Sequence, residues 1–287
     1  MKLLAIGDFH GKFPRKLEKR IKKEKPELII SIGDYFPFSL RKTFFKYCYG
    51  KPIEIWEAVG RQRFKKSFLK DLKTGANIMH RLDNLKIPVF SVVGNYDLDV
   101  PLDSYDLKHM KSQTGKKWKW LEQDFFPVII NKFENIKRID YKSFKFKELV
   151  LIGAYGSMIP GKVKSRHFKM YRKKLDKLFL KFKKENKEKK VIFVFHNMPY
   201  NCKLDVIRDK QAPKSEIGKH YGSKLIRRAI DSHQLVLGLG GHFHENQGKC
   251  KIGRTLVVNP GAAYEGKAAF IEFDEKKGKV ERVRFIK

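Results

Sequence analysis

The sequence predicts an α/β chain with an antiparallel finish, and two observations carry that reading. Short continuous runs of Val, Ile and Leu, each closed by Gly or a polar residue, alternate with amphipathic stretches. Apolar runs of this length without polar alternation mark strands buried on both faces. The last three runs, Thr255–Val258, Ala268–Phe273 and Val280–Phe285, are separated by short turns, as in a meander.

Taken in order, Lys2–Ile6 reads as a strand and Lys12–Lys25 as a helix. Leu28–Ile32 is the next strand, closed by Gly33-Asp34, and Ile87–Val93 is another, closed by Gly94-Asn95. Val150–Ile152, Val191–Phe195 and Leu235–Leu237 follow. Between Pro160 and Lys190, Phe168, Tyr171, Leu175, Leu178 and Phe182 recur at three- and four-residue steps, which is one face of a helix. Its other face is nearly all Lys and Arg, either a solvated outer surface or a rail for a phosphate backbone. Tyr35–Asn84, Tyr96–Glu148 and Pro160–Lys190 are too long for simple crossovers. They read as insertions decorating one domain over residues 1–287, the first two forming a cap or rim over a cleft.

Composition narrows the function. Lys and Arg number 64 against 31 Asp and Glu, a net charge of +33, and the pI is near 10.0. Such a surface attracts polyanions, so a nucleotide or nucleic-acid partner is expected, although Lys-rich surfaces also serve solubility. At 41% hydrophobic the chain can bury a core and is not a disordered tail. No apolar run approaches the ~20 residues that span a bilayer, so no membrane insertion is expected. Leu3-Leu4-Ala5-Ile6 is cut off by Asp8 and reads as a strand rather than a signal peptide. Cys48, Cys202 and Cys250 lie far apart in sequence without a CxxC pair, which argues against a disulfide framework and for a reducing, cytoplasmic setting. The sequence shows no Walker loop, helix-turn-helix or aromatic RNP signature, and it does not specify an oligomeric state.

Chemistry concentrates at five strand ends. Asp8-Phe9-His10 follows the first strand, Gly33-Asp34 the second and Gly94-Asn95-Tyr96-Asp97 the third. Phe195-His196-Asn197 closes a later strand, and Gly241-His242-Phe243-His244 follows the last strand before the meander. Ligands of α/β sheets gather at the carboxyl ends of strands. If the chain stays extended, residues i and i+2 point the same way, so Asp8 and His10 reach one ion together, while His242 and His244 both face the same cleft. Asp8, His10, Asp34, Asn95, His196, His242 and His244 are too many for one tetrahedral zinc and suit two octahedral ions. Carboxylate, imidazole and amide donors without thiolate favour Mn, Fe, Co or Zn over copper; Mn is the favoured choice.

These blocks, DxH, GD, GNxD, H and GHxH in that order, resemble the calcineurin-like metallophosphoesterases. Asn259-Pro260-Gly261 resembles the NPG that follows GHxH in that family, and Pro199 its HxP-type loop. The resemblance implies a four-layer α/β/β/α sandwich with helical insertions. It implies that Asp8, His10, Asp34 and His244 hold one divalent metal, that Asp34, Asn95, His196 and His242 hold a second, and that Asp34 bridges them. The implied activity is phosphoester hydrolysis by a metal-bridging hydroxide, with ions roughly 3.5–4 Å apart. Asp34, Asn95, Tyr96 and Asp97 are the implied catalytic positions. The family often has His after Gly-Asn, where this chain has Tyr96; a phenol is a weak acid at neutral pH. That departure favours a phosphodiesterase over a monoesterase and leaves the role of Asp97, which would orient a neighbouring group, open. Arg41, Lys42, Arg61 and Arg63 are candidate phosphate contacts on the rim. A non-catalytic scaffold on the same fold, or a basic nucleic-acid-binding module, is the alternative.

Overall fold

In the computed structural model, which describes residues 1–49, 51, 53–97, 118–122, 125–154, 166–184, 190–209, 212, 214–233 and 235–287, twelve strands form two six-stranded sheets. The first sheet holds β1 (Lys2–Ile6), β2 (Leu28–Ser31), β3 (Val89–Ser91), β4 (Ile136–Arg138), β11 (Ala268–Asp274) and β12 (Lys279–Ile286), in the order β12-β11-β1-β2-β3-β4. The second holds β5 (Ser143–Phe146), β6 (Leu149–Ala154), β7 (Val191–Asn197), β8 (Leu237–Gly241), β9 (Gly248–Ile252) and β10 (Thr255–Asn259), in the order β5-β6-β7-β8-β10-β9. Strands β1 to β4 run parallel to one another, as do β6, β7, β8 and β10.

Strand alternation explains the layers. Leu3 and Ala5 of β1 pack between the sheets with Ile192 and Val194 of β7. Leu4 and Ile6 face the other way, toward α1 (Arg15–Glu24), α4 (Arg61–Asp83) and α5 (Phe125–Ile130) through Ile21, Met79, Leu82 and Phe126. On the far side, Val191, Phe193 and Phe195 meet α6 (Arg166–Lys184) and α7 (Lys224–His233) through Leu175, Phe179 and Ile230. Each central strand is therefore apolar on both faces, which is why it reads as a continuous apolar run. The result is the expected α/β/β/α sandwich. Two short helices, α2 (Arg41–Tyr47) and α3 (Ile55–Val59), complete seven α-helices among the described residues.

Phe168, Tyr171, Leu175 and Phe182 of α6 are buried as the periodicity predicts; Phe179, outside the predicted set, joins them.

Three expectations need correction. The closing strands are not one meander: Thr255–Asn259 sits in the second sheet beside β8 and β9, whereas β11 and β12 form a hairpin against β1 in the first. Pairing rather than turn length decides the sheet, because the parallel site beside β8 is open to β10. The strand expected at Leu235–Leu237 runs over Leu237–Gly241, since Gly238, Gly240 and Gly241 are strand residues packed under Phe195 and Asp8 rather than a turn. The long stretches are not pure decoration. Strands β4 and β5 fall inside Tyr96–Glu148, and α4, inside Tyr35–Asn84, lines the first sheet. Residues 98–117, 155–165 and 185–189 of the expected insertions lie outside the described residues. Cys202 and Cys250, distant in sequence, meet beneath the second sheet as free thiols.

Candidate metal centre

The loops after β1 and β2 are sewn together by their backbones. Asp8 N–H donates to Gly33 O (2.9 Å), Phe9 N–H to Asp34 O (2.8 Å) and His10 N–H to Asp34 O (2.9 Å). Between the two polar side chains of the first loop, Phe9 is fully buried and stacks on Tyr35 at 5.3 Å. The DxH block is thus a core-anchored hairpin of polar groups. It is not an extended segment: Asp8 and His10 have φ of 52° and 43°, Asp34 57° and His242 70°. Non-glycine residues in this left-handed region are uncommon and cluster at functional sites. The expectation that alternation aligns Asp8 with His10 fails for this reason; left-handed turns bring them together instead.

Asp97 ties the third loop to the second. Its Oδ2 accepts N–H groups from Asp34 (2.8 Å) and Gly94 (2.7 Å), and its Oδ1 accepts that of Tyr35 (2.6 Å). Rather than orienting a reacting side chain, Asp97 clamps backbone. Burial and the nearby Asp34 charge push its carboxyl up to about 7, against three N–H donors that favour the charged form. Glycines permit this crowding. A Cβ on Gly94 would lie 2.1 Å from Asp34 Oδ1, and one on Gly241 would lie 2.4 Å from Asp8 Oδ2.

All seven expected ligands converge. His10 Nε2 lies 3.1 Å from His244 Nε2 and 3.5 Å from Asp34 Oδ2; His244 Nε2 lies 3.6 Å from Asp8 Oδ1. Asn95 Oδ1 lies 2.8 Å from His196 Nε2 and 2.8 Å from His242 Nδ1, and His196 Nε2 lies 3.4 Å from Asp34 Oδ2. His196 Nδ1 donates to the Ile32 carbonyl at 2.8 Å, so in the neutral ring Nε2 keeps its lone pair toward the cluster. Cis ligands about 2.1 Å from one octahedral ion stand about 3 Å apart, close to the His10–His244 separation.

Charge and burial fit a cationic occupant. Asp8 is fully buried and Asp34 nearly so, yet Asp8 Oδ1 and Asp34 Oδ2 have no hydrogen-bond partner. Their other oxygens are satisfied, Asp8 Oδ2 by His242 N–H (3.1 Å) and Asp34 Oδ1 by Tyr96 N–H (2.7 Å). Burial and the Asp8 charge raise the Asp34 carboxyl well above the usual range. Burial alone would raise Asp8 too, but the charges of His244, His196 and His10 around it hold it low. Burial lowers His10 and His242 to about 3, keeping both neutral and able to donate lone pairs. It works against His244 as well, where Asp8 outweighs it and raises the ring. Two triads, Asp8-His10-His244 and Asp8-Asp34-His196, place their donor atoms within 4.8 Å of one another. Orphaned carboxyl oxygens beside imidazole nitrogens are the donor set of hard or borderline divalent cations.

The remaining expected residues divide. The Tyr96 ring packs edge-on against His10 at 5.1 Å and against Phe38 at 5.3 Å. Arg41 is exposed on α2, and its charge acts on His10; Lys42, next to it, is also exposed. Arg61 lies over the Trp56 and Trp118 rings, at 5.2 and 5.6 Å. Arg63 is exposed on α4. Sequence reasoning missed Tyr264, whose ring lies 5.7 Å from that of His10 and whose hydroxyl is 3.4 Å from His244 Nδ1. Its one signal is its position just after Asn259-Pro260-Gly261.

Comparisons bear on the whole chain. A family model described as metallophosphoesterase, calcineurin superfamily, matches residues 119–283. A curated relative from Methanocaldococcus jannaschii, itself uncharacterized, is 36% identical over 95 residues, 32% of this chain. The match spans 38% of that relative's length. Solved structures share the fold. One crystal structure overlays with a TM-score of 0.67 at 19% identity, covering 100% of this chain and 98% of the other. A protein from Thermus thermophilus gives 0.54 at 17% identity, covering 99% and 97%. A dimetal phosphatase from Danio rerio gives 0.51 at 11% identity, covering 94% and 92%.

Proposed function

The chain belongs to the calcineurin superfamily of metallophosphoesterases, and from that premise we propose that it is a two-metal phosphoester hydrolase that prefers diesters of nucleotide or nucleic-acid type. One observation carries the two-metal reading. Asp34 Oδ2, buried and without a hydrogen-bond partner, stands 3.5 Å from His10 Nε2 on one side and 3.4 Å from His196 Nε2 on the other. That suits a carboxylate that would be shared by two cations. Asp8, His10 and His244 would hold one cation with Asp34; Asn95, His196 and His242 would hold the other with it. The donors fit Mn, Fe, Co or Zn, with Mn the favoured choice. When bound, such a pair of cations polarises the phosphoryl oxygens and makes hydroxide available at neutral pH.

The chain's own residues set up that chemistry. The Ile32 carbonyl fixes the tautomer of His196. Asp97 holds the Asp34 and Gly94 loops in register. Tyr96 stands where an imidazole would otherwise serve a leaving group, and a phenol there is a hydrogen-bond donor rather than a ready acid. Diesters with good leaving groups need that proton least. The net charge of +33 supports a polyanionic substrate. A single working unit over the whole chain, with its helical segments around the site, and a cytoplasmic setting belong to the same reading. Both sheets contribute ligands and share one core. Among the described residues no helix is long and apolar enough to cross a membrane.

The test is metal-stripped protein reloaded with Mn, Fe, Co, Zn or Mg and assayed on monoesters, bis-p-nitrophenyl phosphate, cyclic nucleotides, dinucleotides and oligonucleotides. Two metals per chain and faster turnover of diesters than monoesters are expected. One metal per chain, or no turnover with any metal, overturns the proposal.

A further inference from the structure

Helix α2 breaks the usual rule for aromatic side chains. None of its residues is buried, although it carries Phe44, Phe45 and Tyr47. Phe45 and Tyr47 are each 46% exposed, and Tyr49, just beyond the helix, is 62% exposed. Aromatic rings dominate core energetics when buried, so several rings held open on one short helix mark a surface that binds something. They form a connected path. The Tyr96 ring beside His10 meets Phe38 at 5.3 Å, Phe38 meets Phe44 at 5.8 Å, Phe44 meets Phe45 at 5.3 Å, and Phe45 meets Tyr49 at 5.3 Å. One end of this path is the candidate metal centre.

The charges on the same helix identify the occupant. Arg41, Lys42 and Lys46 lie on α2, which has no acidic residue. The guanidinium of Arg41 lies 4.9 Å over the Phe45 ring and the Lys46 ammonium 4.9 Å over Tyr47. Cations interleaved with open rings match a partner that alternates negative charge with flat apolar faces. A protein partner with an apolar face would leave three cations unmatched. In a duplex the base faces are hidden in the stack, whereas a single strand offers them. A run of rings, rather than one ring, suits successive bases.

We infer that α2 and Tyr49 form a stacking platform for single-stranded nucleic acid that leads a strand to the metal centre. The inference rests on the phosphodiesterase reading and names its substrate class. Stacking of successive bases on aromatic side chains in a cationic groove is sequence-tolerant and salt-sensitive. Arg41 and Lys46 meet phosphates, Phe45 and Tyr49 meet bases, and Tyr96 receives the nucleotide next to the scissile bond.

The experiment is fluorescence anisotropy on metal-free protein in chelator, where no strand can be cut. Three labelled probes are compared: a single-stranded DNA about 12 nucleotides long, within the usual site size, an abasic strand of the same length and charge, and the corresponding duplex. The base-bearing strand is expected to bind about tenfold tighter than either control. Phe45→Ala and Tyr49→Ala should each lower its affinity about tenfold, toward that of the abasic strand. Phe45→Leu, which keeps apolar bulk and so guards against misfolding, should lose affinity to a similar degree. Equal binding of the abasic strand, preference for the duplex, or variants that bind like wild type would overturn the platform. So would self-association lost in Phe45→Ala without any strand binding, which would assign the patch to protein contact. A parallel assay of metal-loaded wild type on bis-p-nitrophenyl phosphate separates the two claims. Turnover without base-dependent binding removes the platform alone; base-dependent binding without turnover removes the hydrolase reading and leaves the platform standing.

Discussion

The Asp97 carboxylate accepts the backbone N–H of Asp34 at 2.8 Å, so the residue expected to bridge two metals is held in place by a second carboxylate, bound to the backbone of its own loop. The same Asp97 oxygen takes Gly94 N–H at 2.7 Å, and its partner oxygen takes Tyr35 N–H at 2.6 Å. Both oxygens of Asp97 therefore work only as acceptors. In Asp97→Asn one of them becomes an NH2 group facing a backbone N–H, leaving at least one buried donor unsatisfied. Such a loss costs about 1–3 kcal/mol. We expect a lower thermal midpoint and weaker metal retention, with the pH–rate profile keeping its shape. A profile that loses a limb in Asp97→Asn would show a proton-transfer role instead.

Asp34 and His196 test the ligand partition. Asp34→Asn should lower occupancy of both metals and remove most turnover, because one carboxylate is shared. His196→Ala should empty the second position while Asp8, His10 and His244 keep the first. Metal content after dialysis and anomalous scattering at each metal's edge read both outcomes. Loss of the first metal in His196→Ala would reverse the partition. Full occupancy in Asp34→Asn would remove the bridge.

Gly94 is the most crowded glycine at the site. A methyl group there would lie 2.1 Å from Asp34 Oδ1 and 2.5 Å from Asp34 N. Gly94→Ala must move the Asp34 loop, a fixed backbone segment rather than a flexible side chain. Overpacking of this kind costs about 1–3 kcal/mol. We expect metal content to drop along with stability. An alanine variant that binds two metals with wild-type affinity would show that the loop can give way.

Much of the site was legible because its residues sit beside short, two-sided apolar strands, and the residue order alone placed them. His196 and His242 could be found from sequence for that reason. The left-handed backbone of Asp8, His10, Asp34 and His242 could not, because each is imposed by hydrogen bonds between loops distant in sequence. The motif suggested that Asp97 orients a neighbouring group and left its role open; its hydrogen bonds to the Asp34, Tyr35 and Gly94 backbone are visible only in the fold. Strands β4 and β5 were hidden because Ile136–Arg138 and Ser143–Phe146 are short edge elements with few buried residues. Thr255–Val258 was grouped with the closing meander because turn length says nothing about which parallel neighbour is free. Tyr264 and the α2 aromatics carry no motif, and their closeness to His10 is a tertiary fact.

The outer helices carry a pH-sensitive link. Arg81 of α4 donates two hydrogen bonds to Glu18 Oε2 of α1, at 3.1 and 2.5 Å. Burial alone would raise the Glu18 carboxyl, but Arg81 and Lys22 outweigh it and hold it below the usual range. A depressed carboxylate stabilises the fold above its unfolded pKa, about 4.3, and that contribution is lost as pH falls through the folded value. Glu18 is partly exposed, so the link is worth about 1 kcal/mol or less. Glu18→Gln should therefore be slightly less stable than wild type at neutral pH, and the two should converge as the solution becomes strongly acidic. A gap that widens on acidification would mean the sign is wrong.

Tyr96 decides how the leaving group departs. Its backbone N–H is committed to Asp34 and its ring packs against His10 and Phe38, so a phenol rather than an imidazole stands at the site. An alkoxide leaves poorly without a proton, whereas a nitrophenolate leaves unaided. General acid catalysis is worth about 10²–10⁴ in rate, enough to sort substrates by leaving group. Activity on aryl diesters should therefore exceed activity on alkyl monoesters. Tyr96→Phe should change aryl diester turnover only modestly, since it removes one hydrogen-bond donor. Tyr96→His should raise monoesterase activity if the new ring reaches the leaving oxygen. The competing account makes the Tyr96 phenol itself the proton donor once metals are bound. Rates measured against leaving-group pKa separate the two. If Phe lowers the rate equally across leaving groups, the phenol only positions the substrate. If Phe fails selectively with poor leaving groups, so that the dependence steepens relative to wild type, the phenol is the acid and the diester preference must have another source.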